Sequence, residues 1–194
     1  MPTGVPLRDV REQLFDAAER LLLRAGPGAL TSRAVTAEAG VAKGVVHRHF
    51  ADFDDFLVAL VHDRIARVEA QSAALRAAAG TGTVTANVAG ALGDVFGSVA
   101  LEILKLVIFR DDLRKRLRRE SPTGLAILGE AAAMLGAYLA AERDLGRVAA
   151  DADVDTLALT LVGTGHLVFA GRHGEPPPPA EVLDVVTKVL RGDA

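Results

Sequence analysis

The chain has 194 residues, half of them hydrophobic, no cysteine or tryptophan, and a formal net charge of −3. That length and apolarity suffice for a substantial core, as one domain or as a small domain fused to a larger one, and exclude a disordered chain. The missing cysteines exclude a disulfide framework, a thiolate metal site and a thiol nucleophile. The slight acidity argues against a protein coated along its length in nucleic acid.

Apolar residues recur at threes and fours rather than at twos, aromatics are few, and Ala, Leu and Arg dominate, so the expected fold is all-α. No uninterrupted apolar run reaches the roughly 18 residues of a membrane span. The opening MPTGVPLRDVREQ holds no signal-peptide core. A cytoplasmic protein without a membrane partner is expected.

Asp9 and Glu12 have the spacing of a capping box ahead of a first helix whose apolar face is Val10, Leu14, Ala17, Ala18, Leu21 and Leu22. Gly26-Pro27-Gly28 ends it. Thr31 can then accept the first free N–H groups of a short helix reaching Ala39, and Gly40 supplies the positive φ of a tight turn. From Ala42 to about His49 a second short helix places Val46 and Phe50 on one face and Lys43, Gly44, His47 and Arg48 on the other. Two short helices joined by a glycine turn make a helix-turn-helix, whose second helix enters a DNA major groove. The bland alternative is a structural helical hairpin. Arg33, Lys43 and Arg48 outweigh Glu38 across this stretch, a modest positive footprint that a dimer would double.

In order and spacing, Thr31-Ser32-Arg33, Ala39-Gly40-Val41, Lys43-Gly44 and His49-Phe50 resemble the N-terminal signature of the TetR family of bacterial transcriptional regulators. With the helix from Asp9 to Ala25 before it and Leu57 to Ile65 after it, the resemblance spans roughly the first 60 residues. It implies an N-terminal three-helix DNA-binding domain, residues 1–52, joined by a long helix to a larger helical ligand-binding and dimerisation domain, residues 53–194. Three positions depart from the pattern. The family has Ser or Thr where Ala42 stands, which weakens the second helix by about 1 kcal/mol for want of a cap. It has Tyr in place of His47 and Lys in place of Phe53, both phosphate contacts in the family.

Further along, Asp52 or Asp54 can cap a long fourth helix lasting to the break at Gly80-Thr81-Gly82. Two or three helices follow between Val84 and Arg119, one of them the apolar run Val99 to Phe109. The basic cluster Arg114, Lys115, Arg116, Arg118 and Arg119 reads as a solvated face. Ser121-Pro122 opens a helix to about Arg143. Along it Gly129, Ala133, Gly136 and Ala140 form a small-residue stripe, and a further helix, Val154 to Ala170, carries Gly163 and Ala170. The resemblance puts the dimer interface on these two helices; the alternative is that the small-residue stripe packs inside the monomer. Glu175 to Pro179 reads as a stiff extended loop before a last helix, Ala180 to Leu190.

Asp151, Asp153 and Asp155 lack the Gly and Glu of a calcium loop and read instead as a helix N-terminal cap. No cofactor fingerprint, metal set or catalytic constellation is found, so no enzyme activity is expected. The resemblance implies a homodimeric repressor that leaves a near-palindromic operator when a small apolar effector binds. The DNA-binding candidates are Thr31, Ser32, Arg33, Ala42, Lys43, Gly44, Val45, His47, Arg48 and His49. Phe96, Phe109, Tyr138 and His166 are the effector-binding candidates. The alternative function is a helical small-molecule binding protein or enzyme that has lost DNA binding.

Overall fold

A computed structural model describes residues 9–119, 126–172 and 175–192, and among these every regular element is helical. α1 (Val10–Ala25), a 3₁₀ turn (Pro27–Ala29), α2 (Ser32–Glu38) and α3 (Val45–His49) come first, followed by the long α4 (Phe53–Ala77). α5 (Val84–Phe96), α6 (Ser98–Phe109) and α7 (Asp111–Arg118) precede α8 (Ala126–Asp144), α9 (Val154–Ala170) and α10 (Pro179–Arg191). The opening at Ser121-Pro122 lies outside the described residues.

Side chains set most of these starts. Asp9, Thr31, Asp52, Thr83 and Asp153 each accept a backbone N–H from the first turn of α1, α2, α4, α5 and α9. α2 closes as a Schellman motif. Val41 N donates to Thr36 O at 3.0 Å and Gly40 N to Ala37 O at 3.2 Å, with Gly40 at φ 69°.

Leu14 and Ala18 of α1, Val46 of α3 and Phe50 after it are all buried, and Phe15, Phe50 and Phe56 form an aromatic cluster with centroids 5.1–6.1 Å apart. α4 joins that cluster through Phe56, Leu57, Leu60 and Val61 and then runs on along α8. At 25 residues it is roughly 37 Å long. α8 packs on α9, and α9 and α5 share α10.

Two polar knots hold the larger part. Buried Arg64 of α4 donates to the carbonyls of Asp94 and Val95 at 3.0 and 3.2 Å, capping the last turn of α5 with a cation where the helix dipole favours one. Burial lowers its pKa, and burial likewise raises that of Glu19 on α1, against the opposing pull of Arg67 and Arg64. In the second knot the fully buried Glu142 accepts from the Tyr138 hydroxyl at 2.5 Å and from Gly80 N at 3.3 Å, beside Arg147 at 3.2 Å. Asn87 donates to the same hydroxyl at 2.9 Å. Burial, then the bond to Glu142, pushes the Tyr138 pKa up to about 12.

The structure corrects one expectation about the small-residue stripe. Gly136 is buried inside the chain: a Cβ there would lie 3.3 Å from Asp155 Oδ1 and 3.8 Å from the Ala158 Cβ. The stripe straddles two faces of α8. Gly129 and Ala133 are exposed and Ala140 half-buried, whereas Gly136 forms the seam with α9.

Replacing Tyr138 with Phe should leave a buried carboxylate short of a donor and cost about 1–3 kcal/mol of unfolding free energy. Urea denaturation of the two proteins checks this, with an unchanged midpoint counting against the knot.

Candidate functional site

The exposed surface of the helix-turn-helix is built by its turn. With Val46 buried and Val45 half-buried against the core, Lys43, Gly44, His47, Arg48 and His49 are all turned to solvent, as is Ala42. Thr31 and Arg33 are exposed and Ser32 half-exposed at the start of α2. The ten candidate residues therefore occupy the two ends one expects to face a duplex: the N-terminus of α2 and the turn with the helix after it.

α3 is shorter than expected. It starts at Val45 rather than Ala42, with Ala42 to Gly44 forming a turn closed by Val45 N on Ala42 O at 3.0 Å. Gly44 at the cap position has no side chain to accept an N–H, and Ala42 has none nearby to offer, so the helix begins only where β-branched Val45 and Val46 are anchored in the core.

α2 is fixed against α1 by charge. Glu38 accepts from Arg24 at 2.6 Å and from Arg20 at 3.0 Å, which hold its pKa at about 2, below the ordinary 4.5. Arg11 lies 4.5 Å above the Phe50 ring at the far end of α3. Phe53 does not reach outward as a lysine there would. It stacks on Phe56 at 5.5 Å and is half-buried.

Residues 14–60, which hold α2, α3 and the Glu38 ion pairs, match the model of the bacterial regulatory proteins of the tetR family. Over that stretch the chain is similar to the TetR family. The likeness in fold runs the length of the chain. The fatty acid degradation regulator FadR from Bacillus halodurans superposes with a TM-score of 0.72 at 17% identity, over 98% of this chain and 97% of that one. FadR from Bacillus subtilis, solved in complex with stearoyl-CoA, gives 0.67 at 16% identity, over 93% and 98%. A TetR-family member from Streptomyces coelicolor A3 gives 0.59 at 26% identity, over 94% and 99%. Among curated proteins none matches by sequence.

The four effector candidates are not brought together. Phe109 stands 77% exposed at the end of α6, because Ile103, Leu106 and Val107 take the inward face and leave it outside. Tyr138 is closed off, its hydroxyl engaged by Glu142 and Asn87. Phe96 is core, packed between His166 at 5.9 Å and Phe169 at 5.8 Å, and the half-buried His166 keeps an unpartnered Nδ1.

The hollow of the right character lies elsewhere. An apolar groove of about 510 Å³ runs between α5 and α10, and no charged side chain lines it. One wall is α5, presenting Ala86, Ala89, Gly90, Gly93 and Gly97; the other is Pro176, Pro177, Pro179, Val182 and Leu183, with Phe169 beside them. A Cβ added at Gly90 or Gly93 would meet nothing within 4 Å, so these glycines leave space open rather than admitting a close-packed helix. The only sequence signal for it was the recurrence of Gly90, Gly93 and Gly97 at helical spacing. A smaller hollow of about 260 Å³ on the other side of α5 is lined by Gln71, Asn87, Asp94 and Met134 among others.

α8 and α9 also carry an outward apolar face, with Leu159 64% and Leu167 73% exposed beside exposed Gly163 and Ala170 and, on α8, Gly129 and Ala133.

The Glu38 clasp predicts an acid-sensitive head. A carboxylate whose folded pKa is depressed contributes stability above its ordinary value, and that contribution is lost as pH falls from 4.5 toward about 2. Glu38→Gln should show a flatter stability profile than the parent across this interval in acid titrations followed by circular dichroism.

Proposed function

We propose that this protein is a homodimeric, ligand-responsive transcriptional regulator of the TetR family, in its simplest form a repressor, acting in the cytoplasm without catalysing a reaction. The observation that carries the reading is the solvent-facing set of Lys43 in the turn and His47, Arg48 and His49 on the helix after it, whose opposite side is anchored by Val46. Each α3 enters a major groove of a near-palindromic operator, with half-site centres about one or two helical turns apart. Lys43, Arg48 and the Gly44 backbone reach base edges or the phosphates beside them, while Thr31, Ser32, Arg33 and His47 meet the backbone. Residues 1–52 serve as the reading head and residues 53–194 as the effector and dimer domain.

Dimerisation uses the outward face of α8 and α9. Two leucines as exposed as Leu159 and Leu167, flanked by residues small enough for close helix approach, suit a four-helix seam with a second copy.

The effector is a slender apolar molecule held in the α5–α10 groove. The α5 wall from Ala86 to Gly97 extends roughly 16 Å along the helix axis. Its uncharged lining favours hydrocarbon over ionic groups. The stearoyl-CoA of the Bacillus subtilis FadR complex supports an alkyl chain as the kind of group to try first. Binding there favours a conformation in which the two heads no longer match the operator, so effector and DNA oppose each other reciprocally.

The first experiment enriches duplexes from a random pool with the purified protein and measures binding against salt. Changing Arg48 to Ala should reduce the salt slope by about one unit if it contacts phosphate, or remove about 1–3 kcal/mol of discrimination at one base pair if it reads guanine. An unaltered slope with unaltered discrimination would show that α3 is not docked as described. For the seam, Leu167→Asp should convert the dimer to a monomer by light scattering and weaken operator binding at least tenfold. For the groove, Gly93→Leu should abolish binding of 1-dodecanol while leaving operator affinity within about twofold, and retained dodecanol binding would move the effector elsewhere.

A further inference from the structure

Between α6 and α7 stands Arg110, whose guanidinium reaches 80 residues back in sequence to donate to the carbonyl of Leu30 at 3.0 Å. It lies 5.7 Å from the centre of the Phe53 ring and 3.7 Å from the Asp54 carboxylate. Two turns along α7, Arg116 grips Asp52 with both nitrogens, at 2.8 and 3.2 Å. Asp52 is at the same time the cap of α4, accepting from Asp55 N at 2.7 Å. Leu30 immediately precedes Thr31, the cap of α2. The helix-turn-helix is thus held just before the cap of α2 and at the cap of α4, by Arg110 ahead of α7 and Arg116 within it.

The other cations of α7 are used differently. Arg114 pairs with Asp111 and Lys115 with Asp112, both one turn away within the same helix, so those pairs do not reach the head. The bidentate grip on Asp52 orients as well as attracts, because a planar guanidinium fixes the carboxylate plane. Pairs this exposed add little to stability. Their geometric effect is larger, since α3 has only five residues and no cap of its own to set its direction.

We propose that Arg110 and Arg116 are positioning residues for DNA recognition: they fix the angle of the α2–α3 unit on α4 from outside the reading head. The groove described above reaches Gly97, where α6 begins, and α6 ends at Arg110, so the same two arginines receive any shift of that helix. The proposal rests on the DNA-binding reading of α3.

The test uses the full chain, which has no cysteine of its own. Ala37→Cys on exposed α2 and Ala66→Cys on the exposed side of α4 give a pair of spin labels within one chain, diluted into unlabelled protein. In the parent the distance distribution should be narrow; in Arg110→Gln with Arg116→Gln it should broaden or move while the melting temperature stays within about two degrees. Affinity for a duplex enriched by the parent should fall at least tenfold. Asp52→Asn keeps a capping acceptor but removes the charge. It should reproduce the effect of Arg116→Gln, and the two together should be no worse than either alone. An unchanged distance distribution in the double arginine variant overturns the proposal, as does additivity of Asp52→Asn and Arg116→Gln. If no duplex is enriched at all, the DNA reading fails, and the label distances still decide whether these arginines set the angle of the head.

Discussion

One helix has to serve both ends of a single core. The first turns of α4 insert Phe56, Leu57, Leu60 and Val61 among Phe15, Phe50 and the apolar face of α1, and the later turns lay Val68 toward α8. Each large side chain buried in this way contributes roughly 1.5–3 kcal/mol. Neither end of α4 can slide without opening a cavity, so the small motions open to it are changes of pitch about its middle. Arg64 sits at that middle, tied to the last carbonyls of α5. The larger part meets the helix-turn-helix region through this helix, through α6 against α1 and the 3₁₀ turn, and through the contacts of Arg110 and Arg116.

The charged groups divide by what their surroundings ask of them. Around Glu142 water is excluded, and a carboxylate there is tolerable only because Tyr138, Gly80 and Arg147 surround it, binding the α4–α5 turn to the end of α8. At Glu38 and Asp52 the partners are arginines in contact with solvent, contributing direction more than stability. The interior groups tie helices of the larger part to one another, and the surface pairs tie α2 to α1 and the start of α4 to α7.

Local chemistry was readable from the sequence and distant contact was not. Thr31 as a cap, Gly40 at positive φ, Asp153 as the start of α9 and the span Val154–Ala170 each follow from residues within one turn of the feature they specify. The start of α3 was misread because Ala42 and Lys43 have no objection to a helix; it is the glycine after them and the anchoring of Val46 that delay it. Gly136 was assigned to an outer seam since spacing alone cannot tell which of two neighbouring faces α9 covers. The cluster from Arg114 to Arg119 read as uniformly solvated, yet Arg116 crosses to Asp52, 64 positions away, a pairing no local pattern encodes. Spacing within single helices likewise does not show that Phe96, Phe109, Tyr138 and His166 lie apart, whereas the groove beside α5 is made by side chains that are missing.

The proline-rich wall of that groove has a thermodynamic consequence. Pro176, Pro177 and Pro179 have φ fixed by their rings before anything binds, and the α5 wall opposite offers backbone and methyl groups with no rotamers to freeze. A guest entering there finds a surface already in its bound shape, so little conformational entropy is lost by the protein. The free energy of occupation then comes from water displaced off apolar surface, with the negative heat-capacity change that accompanies it. If a guest does enter, its thickness and length would matter most, because the proline and glycine walls leave little to rearrange around it.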